Sequence, residues 1–286
     1  MAPPSAITGN GAASMAAAGP AAAAAPRAAR ASTGSRRLYV GTIALAITVA
    51  VWFIASAAGW VTGGRFPTPS DVWRAALQIS TDGGYGGGTL WHHIAQSCRL
   101  VLLGFAVAIG TGVPLGLLMG SSRRADALVS PVFMLLRPIP PLAWIPLAIL
   151  WLGLGDAAKI FVIWVAAFVP SVINTFSGVR NVDITLQEAA RVHGASRMVL
   201  LRDVLIPGSL PMIFTGLRLS LQASWTTLVA AELVGAFTGL GKVLSVATLD
   251  IYPGMILFAM VWVGLLGALM TKSLGWIETK ALPWLR

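Results

Sequence analysis

The chain has 286 residues, 56% of them hydrophobic and 10% charged, with a formal net charge of +10. Soluble domains carry roughly a quarter charged residues, so this composition excludes an ordinary soluble globule and indicates a membrane protein; 11 Trp and 31 Gly suit bilayer spans. The basic balance gives no indication of a nucleic-acid partner, because the positive charges fall in short loops between apolar runs, and a single cysteine, Cys98, excludes an intrachain disulfide.

Residues 1–36 are rich in Ala, Pro and Gly with scattered Arg, and lack large apolar side chains. Such a segment cannot offset the entropy of ordering, so a disordered tail is expected. The apolar run that begins after Arg36 and Arg37 is too long for a cleavable leader and is read as an uncleaved first span. About 20 apolar residues cross the hydrocarbon core as a helix. Six stretches qualify, at about 38–61, 92–120, 127–152, 157–178, 209–234 and 254–276, and no strand pattern or clear internal repeat accompanies them. The expected fold class is therefore an all-α integral membrane protein with six transmembrane helices.

Positive charge sets sidedness. With the N-terminus inside, the inner segments hold Arg27, Arg30, Arg36, Arg37, Arg123, Arg124, Arg180, Arg191, Arg197, Arg202, Lys272, Lys280 and Arg286. The outer segments hold only Arg65, Arg74, Lys159 and Lys242. The bias places both termini in the cytoplasm. The resulting division is a cytoplasmic tail at 1–36, a first span with an outside amphipathic segment at 37–91, and a core at 92–280.

Between spans one and two, "RFPTPSDVWRAALQ" reads as an extended entry followed by a short amphipathic helix capped by Ser70 or Asp71. "TDGGYGGG" is a flexible outside loop. His92 and His93 are adjacent, so on a helix they diverge; a polar entry to span two fits them better than a metal site. Cys98 reads as a small packing residue. Span two carries Gly104, Ala108, Gly112, Gly116 and Gly120, one flat stripe where a neighbouring helix can approach closely, and Pro114 is expected to kink it. Arg99, in the outer part of the same span, pairs or snorkels. "LRPIPPLAWIP" puts Arg137 and four prolines into span three. Prolines free carbonyls and bend helices, as a gate needs. Arg137 and, in span five, Glu232 are costly in lipid and should face protein or a water-filled path. Each is either a structural partner of a neighbouring group or part of an anion path.

No GxxxxGK[ST] motif occurs, and "GLGKV" at 239–243 lacks its spacing and its hydroxyl, so the chain has no P-loop of its own for ATP. HExxH and CxxC are absent, and no serine has a nearby base in sequence; neither a metal site nor a catalytic site is expected. The segment "QEAARVHGASRMVLLRDVLIP", 187–207, is charged and helix-prone between greasy flanks. Thr185 and Glu188 have capping-box spacing, Gly194 permits a sharp turn, and a second short helix at about 195–204 is closed by Pro207 and Pro211, which begin the next span. This helix–glycine–helix unit lies either on anionic lipid or in the grip of another protein.

"EAARVHG" followed nine residues later by "VLIP" resembles the EAA loop of ABC-importer permeases, pattern EAA-x3-G-x9-I-x-LP. Glu188, Ala189, Ala190, Gly194 and Pro207 match, while Val204 and Ile206 stand where the pattern has Ile and Leu. "LRPIPPLAWIPLAILWLGLGDAAKI", "GASRMVLLRDVLIPGSLPMIFTGLRL" and "SWTTLVAAELVGAFTGLG" narrow the resemblance to the taurine, aliphatic-sulfonate and nitrate permease group, the taurine permeases above all, over about residues 40–280. The resemblance implies a type I ABC importer permease fold of the bacterial inner membrane, with cytoplasmic coupling helices in a loop at 184–207. It implies docking of that loop on a separate ATPase dimer, which carries the ATP and Mg; this chain needs no cofactor and is no enzyme. It further implies a second permease chain, as a homodimer, a periplasmic or lipid-anchored binding protein, and a lipid surround. In that family the fifth span lines the pathway, which makes Gln222 and Thr226 path candidates beside Arg137 and Glu232. The expected cargo is a small anion: taurine, another sulfonate, nitrate or an organic carboxylate. A secondary transporter would need an inverted repeat and coupling carboxylates, and a membrane scaffold would leave the EAA loop idle.

Overall fold

A computed structural model describes residues 29–60, 66–81 and 84–285. The chain divides into two units, residues 1–51 and 52–286, each described by itself. Of the tail expected at residues 1–36, residues 1–28 lie outside the described residues, and the remainder, from Ala29, is helical.

Helix α1, Ala29–Ala57, begins ahead of the expected boundary and contains the apolar stretch Tyr39–Ala57, long enough to cross a membrane. In the second unit, α2 (Pro69–Ser80) starts on a cap different from the expected one. Thr68 is the N-cap: its Oγ1 accepts from the Asp71 N–H at 3.2 Å, and its own N–H donates to Asp71 Oδ2 at 3.0 Å. Thr68 wins over Ser70 because Pro69 fits the first helical position, where no amide hydrogen is needed. Asp71 then serves three residues on, in a reciprocal box.

Three long helices form the centre: α3 (Leu90–Ser121), α6 (Asp156–Arg180) and α9 (Ile206–Gly235). The glycine stripe is the α3–α6 seam. A Cβ at Gly112 would meet the Ser171 side chain at 2.9 Å, and one at Gly116 would meet Thr175 Cβ at 2.7 Å; Gly104 abuts Ile163 and Gly120 abuts Val179. Backbones approach because these positions carry no side chain, which is how helices associate where water supplies no hydrophobic drive. On its other side α6 meets α9 through Gly178, against Ser209 and Met212, and through Gly216, against Asn174. Pro114 lies inside an unbroken α3.

Span three is not one helix. It is α4 (Arg123–Leu136), a 3₁₀ turn at Pro141–Trp144, and α5 (Ile145–Leu152), bent by 81° at the break. Pro138, Pro140 and Pro141 leave adjacent turns without amide hydrogens, so no continuous i→i−4 ladder can cross them. Helices α7 (Ile184–Val192) and α8 (Arg197–Val199) precede α9; α10 (Leu240–Leu249) and α11 (Pro253–Ala281) follow it. Ala75 and Ile79 of α2 bury themselves with Leu90, Ile94, Leu240, Leu244 and Met255, so the segment expected to stand with the first span packs into the same cluster as the core. Among the described residues there are five spanning helices, or six with the bent pair taken as one, and no strand beyond an isolated Tyr85–Gly88 bridge.

Candidate functional site

The charged loop folds as helix, glycine, helix. The start of α7 corrects the expected Thr185–Glu188 capping box. Asp183 is the N-cap, and its Oδ1 accepts from the Thr185 N–H at 2.9 Å. A carboxylate takes the amide better than a hydroxyl does, since charge-assisted bonds are stronger. That backbone bond, aided by the Thr185 hydroxyl, holds the Asp183 carboxyl below its ordinary range. Helix α7 ends at Val192, and Gly194 sits at φ +81°, a left-handed conformation that costs a side-chain-bearing residue about 1–2 kcal/mol. Ser196 then caps α8, its Oγ accepting from the Val199 N–H.

Pro207 begins the next span, as expected, but does not close off the second helix. A π-helical turn, Leu200–Leu205, carries the chain from α8 straight into α9, with Pro207 in the first turn of α9. Pro207 has no hydrogen to give the Asp203 carbonyl, and the wide turn just before it absorbs that missing bond. The loop is seated on the spans: Leu200 and Leu205 are buried with Val179 and Val182, with Leu117, Ala190, Leu201 and Val204 packed around them. Glu188, Ala189 and Gly194 are exposed. So are Ile184, Leu186, Val192 (86%) and Met198 (70%), which gives a short, rigidly mounted ridge with uncovered apolar side chains.

The path candidates separate into three places. Arg137 caps the end of α4 at the span break and lines a pocket of about 400 Å³ with Phe133, Trp144, Phe161, Trp164 and Phe168. The rings contact one another edge-on or tilted, with centroids 5.4–6.3 Å apart. Trp164 Nε1 donates to Thr111 Oγ1 at 2.9 Å, whereas the buried Trp144 Nε1 has no partner. The Arg137 guanidinium likewise pairs with no described residue. The free guanidinium on an aromatic wall offers donors to an oxyanion, and the ring faces suit an apolar or ammonium-bearing body; the Trp144 N–H is enclosed by protein.

Gln222 and Thr226 are exposed one turn apart on α9. They line a different groove of about 680 Å³ with Trp225 and the small residues Gly264, Gly267 and Ala268 of α11. Arg218, in the same groove, is paired with Glu278.

Glu232 lines neither cavity. It is fully buried and accepts from Ser97 Oγ at 2.9 Å and from the Gly241 N–H at 2.8 Å. Ser97 Oγ also accepts from the Leu240 N–H at 2.9 Å, and His93 Nδ1 accepts from the Gly239 N–H at 2.9 Å. Three successive amides at the start of α10 are thus capped by side chains of α3 and α9. The acceptor role of Nδ1 fixes the His93 tautomer: its Nε2–H donates to the Tyr85 carbonyl at 2.8 Å and holds the 84–88 loop. Glu232 and Arg137 do not meet. The carboxylate is a structural clamp whose apolar surroundings make each bond count. Sequence reasoning does not find His93 and Ser97 as its partners; their i, i+4 spacing on one face of α3 is the available signal.

A fourth cluster also escapes the sequence pattern. Arg123, Arg124, Arg191 and Arg197 line one open pocket of about 700 Å³ beside the loop, together with Met198, Leu200, Leu201 and Leu205. Among the described residues there is no group of three or more His, Cys, Asp or Glu arranged to hold a metal ion.

Residues 112–283 match the family described as binding-protein-dependent transport system inner membrane component. The chain is 34% identical over 247 residues to the taurine transport system permease protein TauC of Escherichia coli strain K12, covering 86% of this chain and 89% of that protein. It is 37% identical over 236 residues to the putative aliphatic sulfonates transport permease protein SsuC of the same strain, covering 82% and 88%. It is 36% identical over 197 residues to the bicarbonate transport system permease protein CmpB of Synechococcus elongatus, covering 68% and 70%. Among solved structures, a chain of the MetNI methionine ABC transporter in an inward-facing conformation superposes with a TM-score of 0.56 at 23% identity. That match covers 67% of this chain and 93% of that one, and shows the fold. The chain belongs to the binding-protein-dependent transport system inner membrane component family and is the multi-pass permease subunit of an ABC importer, with the type I importer permease fold.

Proposed function

We propose that this permease forms the path for a small oxyanion, a sulfonate such as taurine first among them, with bicarbonate, nitrate or an organic carboxylate as the alternative cargo. The observation that carries the anion reading is the unpaired Arg137 guanidinium in the aromatic pocket at the span break. An arginine at membrane depth without a protein partner needs water or a passing anion. A sulfonate accepts from the guanidinium, and the ring faces accommodate a short ammonium-bearing tail. The permease names of the relatives above support the class. Gln222 and Thr226 contribute to the path through the separate groove between α9 and α11, and Glu232 supports it from within the bundle.

In this reading Glu188, Ala189, Ala190, Gly194 and Pro207 form the coupling loop, within 184–207. It docks on an ATPase dimer that holds ATP and Mg. The exposed apolar ridge supports this, because uncovered side chains such as Val192 on a rigid mount fit a groove in another protein. The working assembly contains two copies of this permease, two ATPases and a substrate-binding protein, with both termini of the permease cytoplasmic. In the same reading residues 37–91 hold the first span and outside segment, and 92–280 the core.

The test is a site-specific crosslink. In a Cys98→Ser background, Val192→Cys is crosslinked in native membranes and the captured chain identified. Capture of a P-loop ATPase supports the coupling reading. A water-accessible but unpartnered cysteine in the presence of that ATPase refutes it.

A further inference from the structure

The four-arginine pocket lies apart from the path and adjoins the coupling ridge, with which it shares Met198. Ser121 ends α3, Ser122 joins it to α4, and Arg123 and Arg124 open α4; Arg191 lies in the last turn of α7, and Arg197 opens α8. None of the four guanidiniums is paired with a carboxylate among the described residues. The acid three residues beyond Arg123 is already engaged: Asp126 accepts from Arg180 at 2.8 Å and from Ser130. The pocket is therefore a concentration of about four uncompensated charges. Its floor is apolar, with Leu200 and Leu205 belonging to the cluster that ties the loop to the ends of α6 and α3. It lies where the apolar spans stop, which is headgroup depth in a bilayer.

We infer that this pocket binds the phosphate of an anionic phospholipid headgroup. Guanidiniums match phosphate geometrically and in charge, and the leucine floor receives the start of the acyl chains. Basic pockets between helix ends at the cytoplasmic side take anionic headgroups for these reasons. Because Arg191 and Arg197 belong to the loop while Arg123 and Arg124 belong to the span turn, one bound phosphate links the two. The lipid becomes part of the loop's mounting. The choice of leaflet rests on the orientation proposed above; the depth does not.

The experiment uses the full-length permease, purified and returned to nanodiscs of phosphatidylcholine with increasing phosphatidylglycerol. Retained lipid per chain is counted by native mass spectrometry. The pair Arg123→Gln and Arg124→Gln, outside the coupling loop, should weaken phosphatidylglycerol retention by roughly fivefold per arginine removed. Arg74→Gln, at an exposed arginine already paired with Asp71, should leave it unchanged. In the wild-type protein, photoactivatable phosphatidylglycerol should label peptides containing residues 121–124 or 197–205, a readout that needs no variant to fold. Equal retention by the double variant, or labelling elsewhere, overturns the inference. Complete displacement by an equal concentration of inorganic phosphate overturns the lipid source in favour of a free-anion pocket. Retained lipid with loss of the co-purifying ATPase makes the patch a protein-docking surface. Lipid counts are taken on the permease alone, so failure of ATP-driven uptake leaves them standing, and loss of lipid leaves the transport reading standing.

Discussion

Gly116→Ala tests the helix seam on which every proposed site depends. The added Cβ would lie 2.7 Å from Thr175 Cβ and 2.8 Å from the Val172 carbonyl oxygen, where ordinary contact begins at 3.4 Å. The shortfalls are 3.4 − 2.7 = 0.7 Å and 3.4 − 2.8 = 0.6 Å. Neither obstacle is the far end of a flexible side chain, so α3 and α6 must move apart along the seam. Overpacking of this kind costs about 1–3 kcal/mol. Alanine also favours helix over glycine by up to about 1 kcal/mol, which would mask part of the loss. Gly110→Ala on the same helix removes that ambiguity, because nothing lies within 4 Å of its Cβ. The propensity gain is common to both and cancels in the difference. The assay is reversible denaturation of the purified permease in detergent micelles, followed by circular dichroism. Gly116→Ala should be less stable than Gly110→Ala by about 1–3 kcal/mol. Equal stability of the two would refute close backbone approach at this seam.

Glu232→Ala leaves the Gly241 amide and the Ser97 hydroxyl without their shared acceptor. It should cost about 1–3 kcal/mol per stranded group, read in the same denaturation, whereas Glu232→Gln, which keeps an acceptor, should cost less; a harmless Glu232→Ala would remove the clamp. Gly194→Asp places a side chain at φ +81° and should uncouple uptake from ATP hydrolysis in reconstituted vesicles while insertion stays normal, with normal uptake counting against the coupling role. Arg137→Gln should lower sulfonate uptake about 10–150-fold, the loss of one charge-assisted bond, with ATPase co-purification unchanged; undiminished uptake would take Arg137 off the path. At α2, the Thr68 hydroxyl and then the Thr68 N–H, with Arg74 adding attraction, hold the Asp71 carboxyl below its ordinary range. A depressed folded-state value means the helix gains stability above the unfolded pKa and loses it as pH falls through the folded one. Hydrogen exchange across residues 69–80, corrected for intrinsic rate, should accelerate relative to the rest of the bundle as pH drops below about 4, the unfolded aspartate value, and Asp71→Asn should abolish that dependence.

Features carried by nearest neighbours along the chain are legible in the sequence itself. Apolar length marks the spans, because a helix must present about 20 such residues to hydrocarbon. The Gly104–Gly120 spacing marks a contact face, because four residues return a helix to the same side. Gly194 within a charged helical stretch marks the turn, and the structure places it at φ +81°. The caps are less legible, because several hydroxyls and carboxylates compete within one turn. At Thr68 and Asp183 the outcome turns on Pro69 and on charge-assisted bonding to Thr185.

What tertiary structure alone decided involves groups far apart in sequence. Glu232 meets Ser97 across 135 residues, and His93 meets Gly239 across 146. No local pattern announces that three side chains from two helices will cap a third. The 81° break, the separation of Arg137 from Gln222 and Thr226, and the gathering of four arginines from the span turn and the loop all depend on how the helices pack. Composition and periodicity determined which segments enter the membrane and which face of each helix seeks a partner. Only packing determined which partner each face found, because that choice rests on steric fit between helices brought together by the whole chain.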